Sequence, residues 1–288
     1  MEINGKTRLC GLIGNPVEHT LSPAIHNTLA EMEGHNLVYV PFHVEQGFLA
    51  DAVKGAYGLN LLGLNVTVPY KSDVLPSLVA IDDLAEKIGA VNTLVRTNGG
   101  YKGYNTDILG LYRAMSSEGI RLDGEEVILL GAGGVSRAVA ILCAQKGVKK
   151  VYLLNRSIEK ADAVAKEVNG VFGRECIYPM ELHDYKKIPA GKYLTIQGTS
   201  VGLYPDADKA VIEDKAFYEM IHTAYDLVYR PATTKFMKLA EEEGAKTYNG
   251  LKMLLYQGII AYELWNGTEI SEEQALKIYE ILKEKVAV

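Results

Sequence analysis

The stretch GLNVTVPYKSD, residues 63 to 73, alternates with period two. Leu64, Val66 and Val68 fall on one strand face, Asn65 and Thr67 on the other, and Lys71 follows just past Pro69. Taken alone, this is either a solvated strand rim or the working edge of a ligand site. Other polar residues stand in comparable places. In HTLSPAIHN, Ser22 takes the position of a helix N-cap and Pro23 the first helical position, with a further hydroxyl on Thr20. Helix capping accounts for that pattern, and such a helix start is also a fair seat for a small carboxylate. Asn92 lies in GAVNT, and Asn105, Thr106 and Asp107 lie in YNTD. Each residue has a bland explanation, because Asn and Asp favour turns and a lone lysine is usually solvated. Their common location at the C-terminal ends of strands is the informative feature, since open α/β sheets bind ligands there.

A second chemical signal is LLGAGGVSRA, where Gly131 and Gly133 occupy the first two glycine positions of a dinucleotide fingerprint. With Ala132, Gly134 and Val135 they form a tight loop whose amides could approach a pyrophosphate at the positive end of the next helix. Ser136 stands where the third fingerprint glycine is expected. The strand–loop–helix–strand context strengthens an incomplete match, the alternative being a glycine turn in some other βαβ unit. At the end of the following strand, where an NAD site usually carries a carboxylate, the chain has Asn155, Arg156 and Ser157, with Lys160 one turn on. Without that carboxylate nothing repels a 2′-phosphate, and a guanidinium and a hydroxyl can donate to one. The expected cofactor is therefore NADP, with NAD as the alternative if Arg156 and Lys160 are only a solvated helix start.

These residues need strands and helices in alternation to position them, which predicts an open, mostly parallel α/β sheet. Strands are expected at 8–13, 37–42, 62–68 and 91–96, and helices from Ser22 to Gly34, over 48–57 and over 82–88. An Asn98-Gly99-Gly100 turn between strands signals a hairpin. A second α/β unit starts near Asp123 with the strand EEVILLG and the glycine loop and its helix. It continues with KVYLLNR, the helix SIEKADAVAKEV, the strands KYLTIQGTS and TAYDLVYRP, the helix TKFMKLAEEEGA and the short strand AKTYNG. Two long helices end the chain, and their apolar face, with Leu254, Ile259 and Leu264, predicts that they fold back on the first domain.

Bulk properties narrow the function class. A chain of 288 residues is comfortable as two domains, and 48% hydrophobic with 23% charged residues describes an ordinary globular protein. A net charge of −6 gives no general attraction to nucleic acid or anionic membranes. An anionic ligand must then be held by local cations such as Lys71 and Arg156. The beginning of the chain reads as a first strand, without the pattern of a signal peptide, and no apolar run approaches the roughly 20 residues of a membrane span. Cys10, Cys143 and Cys176 are far apart and odd in number, which suits a reducing cytoplasm. The six scattered histidines have no metal-ligand spacing, so no metal is expected.

In order and from end to end, GNPVEHTLSPAIHN, NVTVPYK, GAVNT, GYNTD, GAGGVSRAV, LNRS, GTSVG, DLVYRP and GLKMLLYQG resemble the shikimate dehydrogenase family. The resemblance implies reversible hydride transfer between NADPH and the 3-keto group of 3-dehydroshikimate, giving shikimate. It also implies a discontinuous catalytic domain, residues 1–107 plus 250–288, with a Rossmann-type cofactor domain over 108–249 and a cleft between the two. By that resemblance Thr20 and Ser22 bind the substrate carboxylate, and Asn92, Asp107 and Gln257 hold ring hydroxyls with Thr67 nearby. Asn65 shares that polar face, and Lys71 and Asp107 flank the reacting oxygen. Tyr229 and Gly250 sit by the substrate and the nicotinamide, and Thr199 belongs to the loop lining the cofactor. Two departures stand out. Thr20-Leu21-Ser22 replaces a usual Ser-x-Ser, and Gln197-Gly198-Thr199-Ser200 replaces a usual Asn-Ala-Thr-Ser. The added methyl of Thr20 in a polyol pocket keeps quinate, or both polyols, as an alternative substrate. A homodimer is compatible with the sequence, and a non-catalytic NADP-binding sensor is a further alternative.

Ketone reduction delivers a hydride to carbon and a proton to oxygen, so a positioned cation or acid at the oxygen lowers the barrier. An ammonium on Lys71 can supply both field and proton, or act mainly as an electrostatic clamp. Asp107 beside it would orient the amine and a substrate hydroxyl.

Overall fold

The computed structural model describes residues 2 to 287. The chain divides into two compact units, one made of the residues up to Arg113 together with Met253–Lys285, the other centred on Ala114–Lys252.

The first unit opens with β1 (Arg8–Gly14), α1 (Ser22–Met32), β2 (Leu37–His43), α2 (Leu49–Gly58) and β3 (Gly63–Val66). It continues with β4 (Ala80–Ile81), α3 (Asp83–Ile88), β5 (Thr93–Thr97), β6 (Gly100–Tyr104) and α4 (Thr106–Ser117). Its six strands run in the order β2-β1-β3-β5-β6-β4. β1 is parallel to β2 and β3, whereas the β5–β6 hairpin pairs antiparallel with β3. The sheet is therefore mixed, because a two-residue turn at Asn98-Gly99 can only reverse the chain. α3 shows how local sequence fixes an element: the Asp82 carboxylate caps Leu84 N at 3.1 Å, and Gly89 ends the helix at φ 66°. The core under the sheet is built from Val53, Leu64, Val66, Leu94 and Tyr101.

The second unit runs β7 (Glu126–Leu130), α5 (Gly134–Gln145), β8 (Lys150–Asn155), α6 (Ile158–Phe172), β9 (Ile177–Glu181) and β10 (Tyr193–Gln197). Then come α7 (Lys215–Tyr218), β11 (Ile221–Asp226), α8 (Lys235–Glu242) and β12 (Lys246–Tyr248). All its pairings are parallel, in the order β12-β11-β10-β7-β8-β9. The strand order reverses direction between β7 and β8 on one side and β10 on the other, the switch point at which a doubly wound sheet opens a crevice. Ile128, Leu130, Leu154, Phe217 and Phe236 fill its core.

The chain ends in α9 (Leu251–Asn266) and α10 (Glu272–Ala287). From Met253 onward α9 packs on the first unit: Trp265 Nε1 donates to Leu94 O at 2.9 Å, and the Tyr262 hydroxyl meets His35 Nδ1 at 2.6 Å. Arg113 in α4 spans both carboxylate oxygens of Glu263, at 3.0 and 2.9 Å, and donates to Ile270 O at 3.1 Å. A fork of this kind fixes the angle between two helices better than a lone lysine would.

Two elements differ from the sequence expectation in ways that matter for the site. β3 stops at Val66, and Val68 is 62% exposed instead of sharing the buried face of Leu64 and Val66. The Thr67 amide still pairs with Ile13 O, but the chain then turns, with Tyr70 N bonded to Thr67 O at 3.0 Å. Ser22 is not an N-cap. Leu21 occupies that position, Ser22 and Pro23 are the first two helical residues, and no side chain caps α1. The Ser22 hydroxyl is therefore not spent on the helix.

Candidate active site

Lys71 is placed by the turn after β3 and by its own carbonyl, which accepts from Val91 N at 2.8 Å. Asp107 lies in the first turn of α4, whose start is set by Asn105: its Oδ1 accepts from Ile108 N at 3.3 Å. An acid here suits the positive end of the helix. Lys71 Nζ donates to Asp107 Oδ2 at 2.7 Å, with both side chains partly exposed. Solvent screening keeps such a pair to about 1 kcal/mol or less of stability. Its significance is that an ammonium and a carboxylate are held together at one strand edge.

Behind the pair lies a buried polar network. Asn92 Oδ1 is surrounded by three donors: Thr106 N at 2.7 Å, Thr106 Oγ1 at 3.1 Å and Thr93 Oγ1 at 3.2 Å. With its oxygen so occupied, Asn92 presents its Nδ2 donors, one toward Gln257 Oε1 at 3.4 Å. Gln257 donates from Nε2 to Leu254 O at 2.9 Å. The approach of α4 to Gln257 depends on Gly110, because a Cβ there would lie 2.5 Å from Gln257 N. Asn65 is 4% exposed, and its amide is shared among protein partners: Nδ2 donates to Asn92 O at 3.2 Å and Thr93 Oγ1 at 3.0 Å, and Oδ1 accepts from the Tyr39 hydroxyl at 2.8 Å. Sequence reasoning missed Thr93 and Tyr39. A threonine and a tyrosine inside strands are ordinary strand formers, so nothing in the pattern marked them.

Thr20 and Ser22 form a hydroxyl pair, with Oγ to Oγ at 3.1 Å and Ser22 N donating to Thr20 Oγ1 at 3.2 Å. Thr67 is half-buried, with its methyl against Gly14. The first unit thus carries Thr20, Ser22, Asn65, Thr67, Lys71, Asn92, Asp107 and Gln257. Lys71 with Asp107, Thr20 with Ser22, and Asn65, Asn92 and Gln257 through Thr93 and Thr106 are three hydrogen-bonded groups.

In the second unit a cavity of about 650 Å³ is lined by Gly131, Ala132, Gly133, Asn155, Arg156, Ser157, Lys160 and Thr199, among others. Gly131 sits at φ 102°, a conformation that favours glycine, and a Cβ there would lie 2.7 Å from Thr199 Cγ2 and 3.0 Å from Ser136 Oγ. Gly133 is the N-cap of α5 with no side-chain cap, so the first amides of the helix are left for a ligand. Gly134 and Val135 form the first turn of α5. At the end of β8 the lining is amide, guanidinium, hydroxyl and ammonium. Ser157 caps α6 and donates to Glu159 Oε2 at 2.6 Å, so a phosphate would compete with that carboxylate for the hydroxyl. The donor set fits a dinucleotide with an extra phosphate. Lys209 and Asp206, paired at 2.7 Å, line the same cavity and carried no sequence signal.

Tyr229 and Gly250 lie in the second unit and do not line that cavity. Tyr229 follows β11 and is half-buried. Gly250 N donates to Val228 O at 3.1 Å, and any Cβ on Gly250 would strike the Leu227 backbone. β11 ends at Asp226, whose carboxyl is pushed up to about 6 by burial, against the opposing bonds from Thr234, Val228 N and Gln197. Among the described residues, no group of three or more His, Cys, Asp or Glu side chains could hold a metal ion, and no helix is long and apolar enough to cross a membrane.

Comparison with known proteins meets this geometry from outside. Residues 12–94 match the shikimate dehydrogenase substrate binding domain, residues 114–187 the shikimate / quinate 5-dehydrogenase family, and residues 250–277 the shikimate 5′-dehydrogenase C-terminal domain. The shikimate dehydrogenase (NADP(+)) of Desulforamulus reducens is 42% identical over 268 residues, covering 92% of each chain. Among solved structures, shikimate 5-dehydrogenase from Listeria monocytogenes, in complex with shikimate and NAD, superposes with a TM-score of 0.89 at 32% identity, covering 98% of both chains. That of Thermus thermophilus, in complex with NADP(H) and shikimate, gives 0.82 at 32% identity over 96% of this chain and 99% of its own. Relatives at this identity and coverage, matched along both units, place the chain in the shikimate dehydrogenase family.

Proposed function

We propose that the chain catalyses the reversible NADP-dependent reduction of 3-dehydroshikimate to shikimate, with Lys71 and Asp107 at the reacting oxygen. The observation that carries this reading is the 2.7 Å Lys71–Asp107 pair set beside a buried network that presents amide donors. The bound cofactor supplies the hydride. Lys71 stabilises the negative charge that develops on the ketone oxygen and delivers the proton, while Asp107 orients the amine and a ring hydroxyl. Asn92 offers Nδ2 to a hydroxyl oxygen, and Gln257 completes the polyol contacts with Thr67 and Asn65. Thr20 and Ser22 donate to the carboxylate. Tyr229 and Gly250 serve the substrate and the nicotinamide.

The first unit is the discontinuous substrate domain and the second the cofactor domain. There Gly131, Ala132, Gly133, Gly134 and Val135 hold the pyrophosphate, Asn155, Arg156, Ser157 and Lys160 the 2′-phosphate, and Thr199 the inner wall. Three buried free cysteines fit a reducing compartment such as the cytoplasm. Quinate is not favoured, since the curated relatives bear the shikimate name. Initial rates with shikimate and quinate, each with NADP and NAD, test the reading. Shikimate with NADP should exceed every other combination by at least about tenfold in kcat/KM, a difference of roughly 1.4 kcal/mol. A preference for quinate or for NAD would overturn it.

A further inference from the structure

The segment Ser22-Pro23-Ala24-Ile25-His26-Asn27 carries one residue with a ligand role, Ser22, and two polar residues, His26 and Asn27, that the reaction does not use. Both are directed at Tyr39 of β2. The Asn27 side chain pairs with its backbone in the manner of a strand, Nδ2 donating to Tyr39 O at 3.1 Å and Oδ1 accepting from Tyr39 N at 2.8 Å. The His26 ring stacks on the Tyr39 ring, with centroids 4.2 Å apart and planes 14° from parallel. His26 is buried, and neither ring nitrogen has a hydrogen-bond partner. A buried imidazole without partners does the packing work of an aromatic ring, so its contribution here is the stack.

What is held so firmly is a phenol at a branch point. The Tyr39 hydroxyl donates to Asn65 Oδ1 at 2.8 Å. Asn65 in turn donates to Asn92 O and Thr93 Oγ1, so one buried phenol supplies the donor that fixes the amide bracing Asn92 and Thr93.

We propose that Tyr39 is a positioning residue for the substrate, orienting Asn65, and through it Asn92, by its hydroxyl while His26 and Asn27 fix its ring and backbone. The inference rests on the reading of Asn92 as a ligand of the substrate's ring hydroxyls. Tyr39→Phe keeps the stack and both Asn27 bonds and removes only the hydroxyl, leaving Asn65 Oδ1 short of a donor.

The test is a double-mutant cycle of Tyr39→Phe and Asn65→Ala, read as KM for shikimate, kcat, and the dissociation constant of NADP by fluorescence. Tyr39→Phe should raise KM for shikimate about five- to tenfold, the effect of one neutral hydrogen bond, with kcat changed less than about threefold and NADP affinity unchanged. In the double variant KM should rise less than the product of the two single effects, because the second change removes a contact already disordered. An unchanged KM in Tyr39→Phe, or effects that multiply fully, would overturn the proposal. Unchanged NADP binding reports that the variants are folded. Failure of the wild-type protein to turn over shikimate sinks the reading of the reaction instead, so the two failures are distinguishable.

Discussion

Lys71 Nζ and Asp107 Oδ2 stand 2.7 Å apart although 36 positions separate the two residues in sequence. The turn after β3 delivers one and the first turn of α4 the other. An exposed ion pair of this kind contributes little to stability, so the two sites should separate function from folding. Lys71→Ala is expected to lower kcat by about 10²- to 10⁴-fold, the range for a lost positioned proton donor, with KM for shikimate within a few-fold of wild type. Its melting temperature should stay close to that of the parent. Initial-rate kinetics checks this: a normal kcat with a raised KM would make Lys71 a binding group alone.

His26 couples the first unit to pH. Burial pushes its imidazole from 6.5 down to about 3, so the folded protein holds this ring neutral. Below pH 6.5 the unfolded chain binds a proton that the folded one refuses. Stability from neutral His26 is fully present above that pH and is lost as pH falls toward 3, at up to about 1.4 kcal/mol per pH unit. His26→Phe preserves an aromatic stack on Tyr39 and removes the titrating group. Urea unfolding at a series of pH values should show a shallower acid slope for the variant, by nearly one proton between about pH 6 and pH 4. Parallel slopes in the two proteins would count against the assignment.

The periodic parts of the fold were legible. β7, α5, β8 and α6 follow the fingerprint, because a buried strand, a glycine turn and a capped helix each leave a local mark. The short β4 and α7 and the edge strand β9 were not, being too brief or too polar for a period to emerge. The start of α4 is ambiguous in sequence: Ile108, Leu111 and Met115 are spaced for a helix, but Asn105 and Asp107 are equally good turn residues. The site divided in the same way. Lys71, Asp107 and the polar cavity lining at the end of β8 stand out in the sequence as polar residues at strand ends. The Tyr39–Asn65, Asn65–Thr93 and Thr93–Thr106 side-chain bonds span 26, 28 and 13 residues, and no local pattern encodes such distances. Ser22 is not the cap its pattern suggests, because Ser-Pro at a helix start is equally good chemistry one position later.

The missing third glycine of the fingerprint has a physical counterpart in the loop after β10. Ser136 is fully buried in α5, and its hydroxyl donates to Gly198 O at 3.0 Å. A Cβ built on Gly198 would collide with Ser136 Oγ. The chain therefore exchanges one small residue for another: serine enters the helix where glycine is usual, and glycine enters the Gln197-Gly198-Thr199-Ser200 loop where alanine is usual. Gly131 lies between them, walled by Ser136 Oγ and the Thr199 methyl, so the exchange keeps the cofactor loop in shape. Gly198→Ala should cost about 1–3 kcal/mol, the typical penalty of overpacking, and weaken NADP binding. Ser136→Ala alone should cost about 0.5–1.5 kcal/mol for the lost hydrogen bond. With both substitutions the colliding oxygen is gone, and the double variant should be at least about 1 kcal/mol more stable than the sum of the single effects predicts. Thermal or urea unfolding of the four proteins measures that coupling. Additivity within about 0.5 kcal/mol would show that the two positions are independent.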